Sequence, residues 1–203
     1  RSLIDVVLVH HGGDRTAAKP GEWAKAADAA RCFHWRQGVR GDENHLARCM
    51  AGRSVGLVLA GGGARAYAHV GAVRAIRQAG VAFDMCAGAS MGAIIAAGVA
   101  MGWDDDELEA RVREAFVETN PLNDFTLPVI SLTRGRKVDK RLKANFGDVD
   151  IEELARPFFC VSSNLSDGAV RVHRAGLLRH ALRASIAIPG LLPPVVDGDA
   201  VLV

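Results

Sequence analysis

A serine flanked by two glycines lies between two apolar segments of this chain. Gly88, Ser90 and Gly92 form a Gly-x-Ser-x-Gly sequence that follows a strand-like run and precedes a helix-like run. The chain must turn sharply there, and the glycines remove side chains that would clash. The serine then stands at a helix N-terminus, where free N–H groups and the helix dipole favour negative charge. The pattern predicts Ser90 as the nucleophile of a serine hydrolase.

A glycine-rich loop occurs upstream of this serine, directly after another apolar run. Its residues are Gly61, Gly62, Gly63, Ala64 and Arg65. Consecutive glycines leave backbone N–H groups uncovered, and such groups can form an anion-binding concavity. The arginine adds a positive charge nearby or braces the loop. We therefore predict that these five residues form the oxyanion hole.

Two other interpretations of the loop are open. Gly61-x-Gly63-x-x-Ala66 also fits a dinucleotide-binding fingerprint, which requires an acidic residue at the end of the next strand. Asp84 is at a suitable distance in sequence, but the predicted strand continues beyond it. The loop could also serve strand–helix packing alone.

The general base has several candidates. The order Ser-Asp-His of α/β-hydrolases could be built from Ser90, Asp167 and either His173 or His180. That mechanism leaves the triple glycine without a function. His69 follows the glycine loop, and we expect it to pack near the loop rather than act as a base.

Hydrophobic periodicity predicts the elements that must position these groups. Strands alternate with helices, which indicates an α/β fold with a mainly parallel sheet. The predicted strands are 3–10, 54–60, 81–87, 158–162 and 200–203, with 169–173 pairing with 158–162 across a turn. The predicted helices are 20–30, 45–50, 67–78, 91–101, 104–118 and 177–186, and 120–140 is predicted to be rich in loops.

Composition excludes some classes of protein. The 203 residues are 49% apolar with a net charge of +2, which fits one globular domain and gives no nucleic-acid footprint. The four cysteines form no disulfide framework, so we expect reduced thiols and a cytoplasmic location. Residues 85–103 lack charge but are rich in glycine and alanine and flanked by aspartates. We interpret them as a strand, a turn and a helix rather than a membrane span.

Two further groups of residues could bind ions or lipid. Cys32-x-His34 and His45-x-x-x-Cys49 match no common zinc spacing, so packing is expected there and no metal is predicted. Residues 134–143 contain many cationic side chains. These could form a solvated surface, or they could contact anionic lipid headgroups. The cations are Arg134, Arg136, Lys137, Lys140, Arg141 and Lys143.

Three blocks of the sequence resemble one known family. Residues 55–71, 88–92 and 183–194 are similar to the oxyanion, nucleophile and proline blocks of the patatin-like phospholipases, especially the neuropathy-target-esterase-like branch. Residues 1–53 resemble the segment that precedes the catalytic domain in that branch. Residues 54–203 would then be the catalytic domain, truncated at its C-terminal end.

The resemblance implies a three-layer α/β/α fold and a Ser–Asp dyad without histidine. Ser90 would attack the acyl carbonyl, N–H groups near Gly62, Gly63 and Ala64 would hold the oxyanion, and water would cleave the acyl-enzyme. Ala66 replaces a glycine usual in the family, which we expect to cause little harm because a helical alanine needs no positive φ.

The aspartate of that dyad has more than one candidate position. In the family it follows a short strand after the proline block, which here corresponds to a position just beyond Val203. Asp197 and Asp199 are alternatives, but they follow Pro194 too closely to match the family spacing.

The resemblance implies hydrolysis of fatty-acyl esters of phospholipids or lysophospholipids, without a cofactor. It also implies peripheral contact with a membrane, on the inner face. The alternative from another class is a non-catalytic domain that binds lipid or regulates a partner.

Overall fold

The computed structural model describes residues 4–11, 19–118, 123–126 and 130–203. The strands are β1 (Asp5–His10), β2 (Arg31–Arg36), β3 (Gly56–Leu59), β4 (Met85–Ala89), β5 (Phe158–Ser163), β6 (Val170–His173), β7 (Val195–Asp197) and β8 (Ala200–Leu202). The helices are α1 (Pro20–Ala26), α2 (Arg40–Met50), α3 (Ala68–Gln78), α4 (Met91–Met101), α5 (Asp105–Arg113), α6 (Arg136–Phe146) and α7 (Leu178–Ser185). Short 3-10 turns span Gly63–Tyr67 and Ile151–Glu153, and a π-helical turn spans Glu114–Glu118.

The central sheet has the strand order β3-β4-β5-β6. β3, β4 and β5 are parallel, and β6 is antiparallel to β5. Helices form the connections between the parallel strands, because two parallel strands cannot be joined by a tight turn. The predicted α/β class with a mainly parallel sheet is confirmed.

One face of this sheet and the helices α3 to α7 share a single hydrophobic core. Leu57 and Leu59 of β3 are buried, whereas Val58 between them is 75% exposed. This alternation follows from the two-residue period of a strand. The core side therefore fixes the register of the strands that carry the glycine loop and the serine.

Helix α4 lies at the centre of that core. Nine of its eleven residues are buried, and its ends coincide with the predicted 91–101. The uncharged stretch 85–103 thus divides into β4, a turn and α4, as expected. Among the described residues, no helix is both long enough and apolar enough to cross a bilayer.

The N-terminal residues form a separate two-stranded parallel sheet of β1 and β2. Strand β2 was not predicted, because it is short and its polar residues Arg31, His34 and Arg36 follow no two-residue alternation. His34 Nε2 donates to the carbonyl oxygen of Glu152 over 2.7 Å, which joins this sheet to the 3-10 turn before β5. The expected boundary between residues 53 and 54 stays a prediction.

A C-terminal hairpin of β7 and β8 turns at Gly198 and Asp199, as the Asp-Gly signal predicted. The backbone N–H of Val203 donates to Ser163 O over 2.9 Å, and Ser163 N donates back to Val203 O over 2.7 Å. The hairpin therefore extends the central sheet beside the carboxyl end of β5.

Several predicted boundaries were wrong: α1 ends at Ala26 rather than at residue 30, and α2 begins at Arg40 rather than at residue 45. Strand β4 begins at Met85 rather than at residue 81, because Asp84 is held by contacts outside the sheet. The predicted loop 120–140 gives way to α6 from Arg136, where Val138, Leu142 and Phe146 form a buried stripe at four-residue spacing.

Candidate active site

Ser90 occupies a strained backbone conformation between β4 and α4. Its φ is 51° and its ψ is −130°, so it is one of three non-glycine residues with positive φ among those described. Such strain in a non-glycine residue is typical of a nucleophile presented on a tight strand-to-helix turn. The predicted nucleophile elbow therefore has the expected geometry.

The two flanking glycines are required by close backbone contacts. A Cβ atom on Gly92 would lie 2.3 Å from the carbonyl oxygen of Leu59, and one on Gly88 would lie 2.6 Å from the backbone nitrogen of Ala93. Real Cβ atoms do not approach backbone atoms so closely. Gly88 and Gly92 therefore allow α4 to pack directly against β3 and β4.

The glycine loop passes beside the serine, as predicted. A Cβ on Gly61 would lie 3.1 Å from Cβ of Ser90. The N–H groups of Gly62 and Gly63 donate to no other described residue, and both glycines are exposed. Gly63 has a φ of 53° and begins the 3-10 turn that includes Ala64 and Arg65. The loop thus presents free backbone donors next to Ser90.

Three side chains lie in or beside the glycine loop: those of Arg65, Ala66 and His69. His69 Nε2 donates to the carbonyl oxygen of Ala60 over 3.0 Å, so His69 packs at the loop as expected. Arg65 is exposed and makes no ion pair with another described residue. Ala66 is buried and has no positive φ, in agreement with the expectation for its helical position.

Ser185 contacts Ser90, the predicted nucleophile, and was not predicted from the sequence to do so. The backbone N–H of Ser90 donates to Ser185 Oγ over 2.8 Å, and Ser185 Oγ donates to Val161 O over 2.7 Å. One hydroxyl therefore connects the serine turn, the end of α7 and strand β5. The serine belongs to the block 183–194, but a contact across 95 residues leaves no periodic signal in the sequence.

The structure does not bring Asp167 and His173 to Ser90. His173 Nε2 lies 2.9 Å from Ser162 Oγ, and burial lowers the pKa of His173. Asp167 Oδ1 accepts from the backbone N–H of Ala169 within the β5–β6 turn. Strand β5 separates β6 from β4, which places about 10 Å of sheet between the backbones of His173 and Ser90.

The two alternative aspartates lie at the tip of the C-terminal hairpin. Asp197 Oδ2 is 3.5 Å from Arg171 Nη2. The carbonyl oxygen of Asp199 accepts from Ser166 Oγ. These partners occupy the β5–β6 turn region and strand β6, and no contact between either aspartate and Ser90 occurs among the described residues.

Asp84 is a buried structural anchor rather than a cofactor ligand. Arg48 Nη2 donates to its Oδ1 over 2.7 Å, His45 Nδ1 donates over 3.0 Å, and Val55 N donates to Oδ2 over 2.9 Å. Burial alone would raise the pKa of Asp84, but these hydrogen bonds outweigh burial and hold it at about 2. Asp84 precedes the amino end of β4, whereas Ser90 follows its carboxyl end. Asp84 is therefore too far from the glycine loop to hydrogen-bond the ribose of a dinucleotide bound there.

Cys49 and His45 belong to the same buried cluster, which could be considered as a metal site. Ligand atoms of His45, Cys49 and Asp84 lie within 4.8 Å of one another. The Asp84 oxygens are already occupied by donors, and the Arg48 guanidinium beside them would repel a cation. Burial lowers the pKa of His45. We interpret the group as packing that joins α2 to β3 and β4.

Comparison with known proteins matches this site to one sequence family. The profile described as patatin-like phospholipase matches residues 57–201. An uncharacterized NTE family protein of Mycobacterium tuberculosis is 48% identical over 158 residues, which cover 78% of this chain. Lysophospholipase nte1 of Aspergillus fumigatus is 35% identical over 167 residues, which cover 80% of this chain.

These relatives are longer proteins. The chain spans 27% of the mycobacterial relative and 11% of the fungal one. The crystal structure of VipD from Legionella pneumophila matches with a TM-score of 0.52, covering 73% of this chain and 45% of that chain at 14% identity. At this identity the likeness concerns the fold alone.

Proposed function

The chain belongs to the patatin-like phospholipase family, and we propose that it hydrolyses fatty-acyl esters of phospholipids or lysophospholipids through an acyl-enzyme on Ser90. The observation that carries the proposal is the strained turn at Ser90, with a φ of 51°, beside Gly61. A structural serine would gain nothing from this strain, whereas a nucleophile must stand clear of the backbone.

The glycine loop supplies the electrostatic part of the reaction. When Ser90 Oγ attacks the acyl carbonyl, negative charge develops on the carbonyl oxygen. The unpartnered N–H groups of Gly62 and Gly63, together with that of Ala64, are suited to stabilise this charge. The base takes the Ser90 proton and gives it to the departing alcohol as the intermediate collapses; the same base then deprotonates the water that releases the fatty acid from Ser90.

The base of this dyad is proposed to be an aspartate that follows Val203. Val203 pairs with Ser163, and the bridge between Asn164 and Leu202 is antiparallel. At Val161 the same edge of β5 is occupied by Ala89 of β4, so a chain that continues from Val203 leads to the carboxyl end of β4 and the turn at Ser90. A side chain in that position would therefore enter the neighbourhood of Ser90.

Substrate hydrolysis tests the proposal. The full-length protein should release fatty acid from lysophosphatidylcholine or phosphatidylcholine, and Ser90→Ala should abolish the release. Ser162→Ala is the matched control, because Ser162 lies in β5 and its hydroxyl contacts His173 of β6 rather than the turn at Ser90. Persistent hydrolysis in Ser90→Ala would refute the assignment and favour a non-catalytic, lipid-binding function.

Separate variants test the base. Replacing an aspartate that follows Val203 with asparagine should abolish hydrolysis, while Asp197→Asn and Asp199→Asn should retain it. Loss of activity in either hairpin variant, with normal folding, would transfer the role to that residue. Loss of activity in His173→Gln together with Asp167→Asn would instead support the histidine triad.

A further inference from the structure

A cleft on the surface of α6 and α7 carries an excess of positive charge. We call it the arginine cleft; it has a volume of about 370 Å³ and lies between α6, α7 and the loop Pro193–Val195. Among the described residues, the ionisable groups of its lining are Arg134, Arg179, Arg183, His180 and one carboxylate, that of Asp139. Three guanidinium groups converge there, which is more positive charge than the lining itself neutralises.

Arg183 is a buried member of this group. Only 8% of the residue is exposed, Nε donates to Asp139 Oδ1 over 2.9 Å, and Nη2 donates to Pro193 O over 2.9 Å. Its third nitrogen, Nη1, is buried and has no hydrogen-bond partner among the described residues. A buried donor without an acceptor is costly, so Arg183 carries a positive charge and hydrogen-bonding capacity that its described partners do not fully satisfy.

The other two arginines, Arg134 and Arg179, are available to bind an anion. Arg134 is exposed and forms no ion pair with another described residue. Arg179 Nε donates to Asp148 Oδ1 over 3.0 Å, but the Asp148 side chain is 62% exposed. An exposed pair contributes little stability, so exchange of that carboxylate for a bound anion costs little.

The N-terminus of α6 is not the source of the positive charge in this cleft. Asp124 Oδ2 accepts from the backbone N–H of Lys137 at 3.3 Å, so a carboxylate already serves that helix end. The site therefore depends on the arginine side chains. Guanidinium groups match the oxygens of a phosphate with paired hydrogen bonds, which favours phosphate over a simple monovalent anion.

We propose that the arginine cleft binds a phosphate group, either in the headgroup of an anionic lipid or in a soluble phosphate ester. Arg134 and Arg179 supply the accessible donors, and Arg183 supplies buried charge fixed by Asp139 and Pro193. The apolar lining at Leu142 and Pro193 accommodates the carbon part of such a ligand. Binding at this cleft does not require the hydrolysis proposed at Ser90.

Calorimetry with glycerol 3-phosphate at constant ionic strength tests the proposal. The protein is the full-length chain carrying Ser90→Ala, so a failure of the proposed hydrolysis leaves the binding measurement unaffected. We expect saturable binding that Arg134→Gln and Arg179→Gln each weaken about tenfold, as loss of a charge-assisted hydrogen bond predicts. Arg136→Gln is the matched control, because Arg136 lies on α6 but does not line the cleft; its effect should stay below about twofold.

Vesicle sedimentation distinguishes the two sources of phosphate. Phosphatidylcholine vesicles with phosphatidic acid are compared with vesicles of phosphatidylcholine alone. Binding to the acidic vesicles that depends on Arg134 assigns the cleft to a lipid headgroup, and binding to glycerol 3-phosphate alone assigns it to a soluble ester. Equal weakening by Arg136→Gln, or no saturable binding of either probe, would overturn the proposal.

Discussion

The backbone N–H of Ser90 donates to Ser185 Oγ over 2.8 Å, which ties the strained serine turn to the last residue of α7. Ser185 Oγ in turn donates to the carbonyl oxygen of Val161 in β5. The hydroxyl thus pairs with a backbone donor in the turn after β4 and with a backbone acceptor in the neighbouring strand β5. It holds the nucleophile turn without contacting the reacting atoms, so we regard Ser185 as a positioning residue.

Ser185→Ala should therefore lower kcat about ten- to a hundredfold with a small effect on KM. Loss of the hydroxyl leaves the Ser90 amide without its acceptor, a cost of about 1–3 kcal/mol at the turn. Steady-state kinetics measure the split, and Ser185→Thr, which keeps a hydroxyl, should recover part of kcat. Unchanged kcat in Ser185→Ala would show that the turn holds its geometry without this contact.

Gly92→Ala should destabilise the fold by more than about 3 kcal/mol, because the new methyl group meets backbone rather than a movable side chain. Its position would be 2.3 Å from Leu59 O and 2.4 Å from Ala60 O. Urea unfolding measures the change. Gly71→Ala is the matched control in α3, where an added Cβ meets no atom within 4 Å; there we expect a gain of about 0.5–1 kcal/mol. Similar stability in both variants would contradict the close packing of α4 on β3.

The serine turn shows how far the sequence could predict the site. Gly88, Ser90 and Gly92 combine local constraints that a short motif records, and the ends of α4 follow from its uninterrupted apolar composition. The geometry of Gly61 to Ala64 was predictable for the same reason. Each of these features depends on residues close together in the chain.

Features that depend on distant contacts were not predictable. Ser185 reaches Ser90 only through the packing of α7 on β5, and strand β7 becomes a strand by pairing with β8. Helix α6 was not predicted, because its many cationic residues suggested a solvated loop. Val138 and Leu142 nevertheless have the spacing of a buried helix face. Asp84 illustrates the converse, because its spacing suited a cofactor fingerprint while its buried partners give it a structural role.

Asp84→Asn should cost about 3 kcal/mol or more, because the substitution removes the buried carboxylate that pairs with Arg48 and accepts the hydrogen bond of His45. Asp84 is 0% exposed, and its partners come from α2 and from Val55. Chemical denaturation measures the loss. Asp106→Asn is the control: its pair with Arg74 has the carboxylate 97% exposed, so its loss should change stability by no more than about 0.5 kcal/mol. Equal effects would contradict the anchoring role of Asp84.

Stability should fall with acid in two steps. His45 has a pKa lowered by burial, so the unfolded chain takes up a proton below about pH 6.5 that the folded protein excludes, and stability declines from there. His173, also lowered by burial, adds to this step. Asp84 has a folded pKa of about 2, so its contribution is present above its unfolded pKa near 3.9 and is lost as pH falls toward 2.

The variants separate these steps in a series of thermal or urea denaturation curves. His45→Gln should flatten the decline between pH 7 and pH 5, and Asp84→Asn should flatten the decline below about pH 4. If the stability of the wild-type protein is the same from pH 7 to pH 5, the predicted contribution of buried neutral histidines is wrong.

The most direct test of the central claim is mass spectrometry of the full-length protein after reaction with a fluorophosphonate. Ser90 is the residue whose backbone strain and neighbouring free N–H groups suit it to attack phosphorus as it would an acyl carbonyl. We predict a single adduct on the peptide that contains Ser90, and none in Ser90→Ala. An adduct on another serine, or unmodified wild-type protein that still hydrolyses lipid esters, would contradict the assignment of Ser90 as the nucleophile.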